Sequence, residues 1–489
     1  MDSRKPLIEI FVGAGIAAFS MVLFYFGTGL NPVWPLLWFA PIPVLFLAAR
    51  TSARITFLAA FLAYFLGGLN VWHFFRSVLE VPLPAVLLFT TIPAVLFALI
   101  VLAWRLLLVR GRLWTATFSF PLLWVACEYL NTITSPHSTY GSIAYSQMNV
   151  LPLIQISSLT GIWGISFVLF LIPSALGVLA SGKGRRDVNL KIVATTAVFF
   201  AAVLLFGVWR LHSPMAATGF THIRMVSTSA PADIFPHDQE KSLDLAARYA
   251  VQILPGSASI AASAESRPDV VLLPEKIARF SPERSPVVHL LFSQAAASAR
   301  VETLVGLDEV IGGQHRNDAL LFAPDGHLAA NYEKHHFIPV LEDGYALGAD
   351  YQVLNRPSGT WGISICKDMD FPALSREYGK RGIGLLLVPA WDFRYDDWLH
   401  SRMAILRGVE SGFSIARNAK QGRLTITDNR GRVLSEATES RIGFAVVDSV
   451  APVAHEATFY VRYGDWFAWI CLLGSACALA LLFAKKPVA

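Results

Sequence analysis

The stretch Gly362-Ile363-Ser364-Ile365-Cys366-Lys367-Asp368-Met369-Asp370-Phe371-Pro372 decides how this chain is read. It predicts a buried strand ending in a single cysteine, followed by a charged turn and a proline break. From about His212 to Tyr463 there is no other thiol, and Cys127, Cys471 and Cys477 all lie in apolar runs long enough to be membrane spans. A disulfide within that polar region is therefore excluded. A lone cysteine in a small buried strand is more often inert packing than a nucleophile, so its chemistry depends on what neighbouring strand ends bring to it.

Working outward, the 489 residues are 54% hydrophobic and only 15% charged, with a mean hydropathy of +0.50. A soluble protein of this length needs far less apolar surface, so the composition implies an integral membrane protein. The net charge of +5 does not point to nucleic acid, because the basic residues fall between apolar runs and form no dense patch with interleaved aromatics. Arg4 and Lys5 before an apolar run resemble a signal peptide, but no small-residue cleavage pattern follows and further spans do.

Runs of roughly 17 to 25 apolar residues, enough to cross a hydrocarbon core of about 30 Å, recur through the first two-fifths of the chain. Seven spans are expected, near Leu7 to Phe26, Trp34 to Ala49, Ile55 to Phe75, Pro82 to Leu107, Leu113 to Leu130, Leu153 to Ala180 and Ile192 to Leu211, and an eighth over Trp466 to Ala484. With a cytoplasmic N-terminus, the cytoplasmic connections hold Arg50, Arg54, Arg105, Arg110, Arg112, Lys183, Arg185, Arg186 and Lys191, and the tail holds Lys485 and Lys486. The opposite connections hold little beyond Arg76. By the positive-inside rule the polar domain then lies on the outer face and both termini are cytoplasmic. Glu128 in the fifth span is expected to face protein, and Tyr140 to Gln147 to form a loop or broken helix.

From Thr221 the pattern changes to short apolar strands between polar helical stretches. Strands are predicted at Ile223 to Val226, Val270 to Leu273, Thr303 to Leu307, Ala319 to Ala323, Gly362 to Cys366, Leu385 to Pro389, Phe413 to Ala416, Leu424 to Thr427 and Ile442 to Val447. Helices are predicted at Lys241 to Leu254, Val287 to Ala299 and Trp398 to Ser411. Such alternation indicates an α/β layered domain. The division is a membrane domain over 1–212, an extracytoplasmic α/β domain over 213–463, and a final span with its tail over 464–489.

Two further strand ends bear on Cys366. The run Val270-Val271-Leu272-Leu273-Pro274 delivers Glu275, and Tyr332-Glu333-Lys334-His335-His336 places Lys334 in a charged turn. A carboxylate can take the thiol proton and return it to a leaving group. An ammonium beside the sulfur favours the thiolate and, with the backbone N–H after the cysteine, stabilises an oxyanion. His335 and His336 lack the companions a metal site needs, so no metal is expected.

These residues carry a resemblance. The chain resembles the apolipoprotein N-acyltransferase family, the membrane-bound branch of the nitrilase superfamily, over nearly its whole length. The matching motifs are Pro274-Glu275; Asn317 to Leu321 with Gly326; Tyr332, Lys334 and Pro339; Ile365-Cys366 with Phe371-Pro372; Arg407 and Glu410; Arg417-Asn418; and Asn429-Arg430-Gly431. In the membrane part Trp124 with Glu128, Tyr145-Ser146-Gln147 and Gly161 to Phe167 match as well. The resemblance implies an αββα nitrilase-like sandwich joined to a multi-pass helical domain, a Glu275–Lys334–Cys366 triad, and Glu342 supporting it.

It further implies ping-pong transfer of a fatty acyl chain from a phosphatidylethanolamine-like donor, through a Cys366 thioester, to the α-amine of diacylglyceryl-cysteine in lipoproteins. The setting implied is the bacterial inner membrane, and no metal or organic cofactor is implied. The chain departs from the family at Lys367-Asp368, where an aromatic residue and Glu are usual, so these two are candidate substrate contacts. It departs also at Asn131, Leu273 and Leu341-Glu342-Asp343. The aromatic run Trp391, Phe393, Tyr395 and Trp398 is a candidate lid, and Val340 to Leu354 a candidate gate. Two other readings use the same residues: a membrane-tethered amidase in which water resolves the thioester, and a scaffold with an unreactive cysteine.

Overall fold

The computed structural model describes residues 5–229, 238–254, 267–440 and 442–484. Arg4, Lys485 and Lys486 lie outside them. The chain divides into two compact units, one of 1–135, 139–212 and 463–489, the other of 136–138 and 213–462.

In the first unit, five helices among the described residues are long and apolar enough to cross a membrane: Ala53–Val78, Leu83–Val109, Trp163–Ala180, Arg186–His212 and Trp466–Phe483. This is fewer than the eight runs predict. The Trp34 to Ala49 run is broken because prolines open two separate helices, Trp34–Phe39 and Pro41–Ala48, each too short to cross. Leu113–Thr134 is a 22-residue helix diluted by Ser, Thr, Asn and Glu128. Lys5–Gly27 is continuous, with a shorter apolar part over Phe11–Gly27. Helix Arg186–His212 exposes Val198, Leu205 and Trp209, a face that only lipid would solvate well.

Basic side chains gather the connections at one end of this unit. Arg50 donates to the Ala180 carbonyl at 2.5 Å, Arg105 to the Thr51 carbonyl at 3.0 Å, and Arg112 to the Ala484 carbonyl at 3.1 Å. Arg110 binds the Leu482 carbonyl. Each cation thus meets carbonyls left unpaired at a helix C-terminus or in the following turn. Glu128 faces protein: its Oε1 accepts from Ser142 Oγ at 3.2 Å and from the Ile143 N–H at 3.1 Å. The segment after it forms a buried turn, Ile143–Gln147, in which Gln147 bonds Trp38 and the Trp34 carbonyl.

The second unit has thirteen strands among the described residues: β1 Ala217–Ser227, β2 Val270–Leu272, β3 Arg279–Phe280, β4 Glu302–Ile311, β5 Gln314–Phe322, β6 Leu328–Glu333, β7 Gln352–Arg356, β8 Gly359–Ile363, β9 Leu385–Trp391, β10 Ser414–Lys420, β11 Arg423–Thr427, β12 Val433–Thr438 and β13 Ala445–Ala454. One sheet runs β13-β1-β2-β4-β5-β6 with β3 beside β4, the other β12-β11-β10-β9-β8-β7. Both sheets have parallel centres, β1 with β2 and β2 with β4 in the first, β8 with β9 and β9 with β10 in the second.

Side-chain alternation sorts the core into layers. Met225, Leu272 and Leu304 meet Ile363, Leu387 and Ala416 between the sheets. The outer face of the first sheet, through Val271 and Val305, packs on Leu245 and Tyr249 of helix Gln239–Ile253 and on Val288 and Phe292 of helix Ser285–Ala299. The outer face of the second, through Leu386 and Val388, packs on Leu374 and Tyr378 of helix Pro372–Lys380 and on Ala404 of helix Asp397–Ser411. The result is αββα. Because β9 is covered on both faces, Leu385 to Val388 is apolar without interruption.

Candidate active site

The predicted strand Gly362 to Cys366 stops earlier. β8 ends at Ile363, the Ser364 N–H still bonds the Leu387 carbonyl at 3.1 Å, and Cys366 opens a short 3₁₀ turn, Cys366–Asp370. Asp368 causes the change of direction. Its Oδ2 accepts from the Ile365 N–H at 3.2 Å and from the Tyr332 hydroxyl at 2.8 Å, while Oδ1 accepts from His336 N at 2.9 Å and pairs with His336 Nδ1 at 2.9 Å. The turn leaves Cys366 at φ +41°, a left-handed backbone that a non-glycine residue adopts only under constraint. Its Sγ, buried, lies 3.4 Å from the Trp391 carbonyl at the end of β9.

Glu275 follows β2 and is held by both sheets. Its N–H donates to the Ala390 carbonyl at 3.2 Å. Lys334 follows β6, with its N–H bonded to the Asn317 carbonyl at 3.0 Å. Lys334 Nζ donates to Glu275 Oε1 at 2.8 Å and to Glu342 Oε2 at 3.0 Å, and Asn317 Nδ2 donates to the same two carboxylates at 2.6 and 2.9 Å. Lys276 completes the cluster by binding Glu342. Burial opposes the Lys334 charge, but Glu275, Glu342 and Cys366 together raise its pKa well above the ordinary lysine value. Burial likewise opposes charge on Glu342, yet Lys334 and Lys276 outweigh it and hold that carboxyl below the usual range. The Cys366 thiol is pushed well above its ordinary value, by burial first and then by Glu275, against the pull of Lys334 and Arg417.

The other sequence candidates are placed less uniformly. Asp368 is fully buried, and its oxygens hold the turn as described. Lys367, 6% exposed, lies 3.2 Å from His137 Nδ1 and 3.4 Å from Asp370 Oδ2. Burial and then Lys367 lower the His137 pKa to about 4. The aromatic run does not form one loop. Trp391 is the buried last residue of β9, Trp398 is buried in helix Asp397–Ser411, and Phe393 is half-buried with its N–H on Asp396 Oδ1 at 2.9 Å. Tyr395 alone is well exposed. In the candidate gate, Glu342 fixes the base by accepting from the Ile338 N–H at 2.9 Å, while Val340 and Leu347 are exposed.

Four contributors have no site role in the sequence reading, although Asn317 and Arg417 stand in matching motifs. Asn317 and Lys276 bridge the carboxylates as above. Arg417 binds Asp392 through both terminal nitrogens, at 2.5 and 2.9 Å. Lys420 lies buried with Nζ on the Lys276 carbonyl at 3.0 Å. Asn418 and Lys420 share one face of β10 by period-two spacing, but they lie beyond the predicted strand Phe413 to Ala416, and nothing in the sequence tells which strand that face meets.

The αββα sandwich that carries this cluster is a carbon-nitrogen hydrolase domain. The family model described as carbon-nitrogen hydrolase matches residues 231–452, and that described as apolipoprotein N-acyltransferase N-terminal domain matches residues 17–175. An apolipoprotein N-acyltransferase of Geobacter metallireducens is 28% identical over 401 residues, 76% of this chain and 75% of that one. Apolipoprotein N-acyltransferase 1 of Treponema denticola is 22% identical over 91% of both chains. Among solved structures, an amidase from Nesterenkonia sp. is 18% identical, covers 53% of this chain and 98% of its own, and superposes with a TM-score of 0.40. The chain belongs to the apolipoprotein N-acyltransferase family, within the nitrilase superfamily.

Proposed function

We propose that this protein is an inner-membrane acyltransferase that N-acylates lipoproteins, using Cys366 as nucleophile, Glu275 as general base and acid, and Lys334 as oxyanion partner. The observation that carries the site assignment is the buried Lys334–Glu275 contact of 2.8 Å acting on a thiol that burial keeps protonated. Because the resting sulfur is neutral, the thiolate forms only as the proton passes to Glu275 during attack. The S–C bond to the acyl carbonyl forms, and Lys334 stabilises the oxyanion. The ester C–O bond then breaks, and the glycerol oxygen of the lysophospholipid leaves with the proton from Glu275. In the second half the α-amine of diacylglyceryl-cysteine attacks the thioester, gives its proton to Glu275, and forms the amide as that proton returns to sulfur.

Lys334 is already ion-paired with its ammonium in place, so little reorganisation accompanies charge development. Removing one such oxyanion partner costs about 10²- to 10³-fold in rate. The membrane half of the chain, matched as this family's N-terminal domain, supports an acceptor and donor that are both lipid-anchored over the small amides of a tethered amidase.

Mass spectrometry of the full protein mixed with phospholipid tests the reading. An acyl adduct on Cys366, transferred on addition of a diacylglyceryl lipopeptide, is expected. Ammonia release from small amides with no N-acylated peptide would overturn it, as would full complementation by Cys366→Ala.

A further inference from the structure

Lys420, the last residue of β10, is 6% exposed, and among the described residues no carboxylate lies within ion-pair distance of it. Its Nζ donates to the Lys276 carbonyl at 3.0 Å and lies 3.8 Å above the Trp391 ring. Both contacts border the chemistry. Lys276 directly follows Glu275, and the Trp391 carbonyl is the group 3.4 Å from the Cys366 sulfur. One ammonium therefore joins the base-bearing turn of the first sheet to the strand end that faces the nucleophile in the second. Two residues earlier, Asn418 donates to the Leu272 carbonyl at 2.6 Å, so β10 fastens the strand leading to Glu275 at two points.

We infer that Lys420 is a positioning residue whose ammonium fixes the Glu275 turn against the Trp391 end of β9, keeping base and sulfur in register through acyl transfer. This rests on the assignment of Cys366 as nucleophile and Glu275 as base. The charged groups facing Lys420 are Glu275, Lys276, Glu439 and Asp308. Each already has another partner: Lys334 for Glu275, Glu342 for Lys276, Arg394 for Glu439 at 3.3 Å, and Arg279 for Asp308 at 2.9 Å. Burial lowers the Lys420 pKa to about 8; Glu275 pulls upward and Lys276 downward. Above that pH the neutral amine loses its attraction to the ring and makes a weaker hydrogen bond to the carbonyl.

Alkylation of Cys366 by iodoacetamide in the full-length, detergent-solubilised protein provides the test. Read as mass gain on the Cys366 peptide, it needs sulfur and base but no lipid. Thiolate formation raises the alkylation rate of any such thiol with pH; the wild-type rate is expected to fall severalfold below that trend as pH rises through about 8. Lys420→Arg, which stays charged, should abolish that fall, and Lys420→Met should slow alkylation about tenfold at pH 7 by misplacing the base. A fall at the same pH in Lys420→Arg overturns the inference, as does a wild-type rate in Lys420→Met. Should Lys420→Met give no cooperative melting, the Lys420→Arg profile decides alone. A protein that alkylates in this pH-dependent way yet takes no acyl group from phospholipid would sink the transferase reading and leave Lys420 in place. Unchanged alkylation in Glu275→Gln would remove the base assignment, and Lys420's role with it.

Discussion

Asp368 shows how much a single carboxylate can decide. Four donors converge on its two oxygens, and one of them is the backbone of Ile365, the residue before the nucleophile. Asp368→Asn keeps the shape but replaces one acceptor with a donor among donors, and a buried group left unpaired in this way costs about 1–3 kcal/mol. We predict a lower melting temperature together with slower Cys366 acylation, both measured on the purified variant. Glu342 gives a pH prediction. Its carboxyl is depressed in the folded protein, so its contribution to stability is complete above the ordinary value of 4.5 and is lost as pH falls from there through the folded value. The melting-temperature gap between wild type and Glu342→Gln should therefore be wide at pH 7 and narrow as pH falls below about 4.5. Glu275 and Cys366 stand where apolar runs stop, whereas Lys334 sits in a charged turn and is singled out by the family resemblance. Asp368 is a candidate substrate contact in the sequence because it stands where the family usually has Glu; in the fold its partners are Tyr332 and His336, over thirty residues away, a pairing no local spacing reveals.

At the scale of elements, β4 must pass the Glu275 turn at close range. A Cβ on Gly306 would lie 2.6 Å from both the Glu275 Cα and the Pro274 carbonyl oxygen, backbone atoms that cannot step aside. Gly306→Ala is expected to shift the base and reduce acyl transfer at least tenfold while costing about 1–3 kcal/mol of stability, checked by activity and thermal melting together. The layered α/β order was legible from alternating apolar runs and helical spacings, since a strand covered on both faces or one has its own signature. Strand ends were not: β10 continues to Lys420, beyond the apolar run at Phe413 to Ala416, because its inward positions there are polar side chains bonded across the sandwich. The Trp34 to Ala49 run is short and broken by proline in the sequence itself, and the structure divides it at Ala40 into two helices.

For the whole molecule, four arginines from separate connections bind carbonyls at the ends of other helices in the first unit. That convergence supports our proposal that the basic connections share the cytoplasmic side and that the α/β domain lies outside. Reporter fusions check it: green fluorescent protein at the C-terminus should fluoresce, and alkaline phosphatase inserted after His212 should be active; the reverse pattern would invert the topology. The backbone at Cys366 has a consequence for the fold as a whole. A side chain held at φ +41° is a standing debt of the native state that glycine would not carry. Cys366→Gly, though inert, should therefore melt above Cys366→Ala. The position that carries the proposed nucleophile is thus one where the backbone favours glycine over any residue with a side chain able to react.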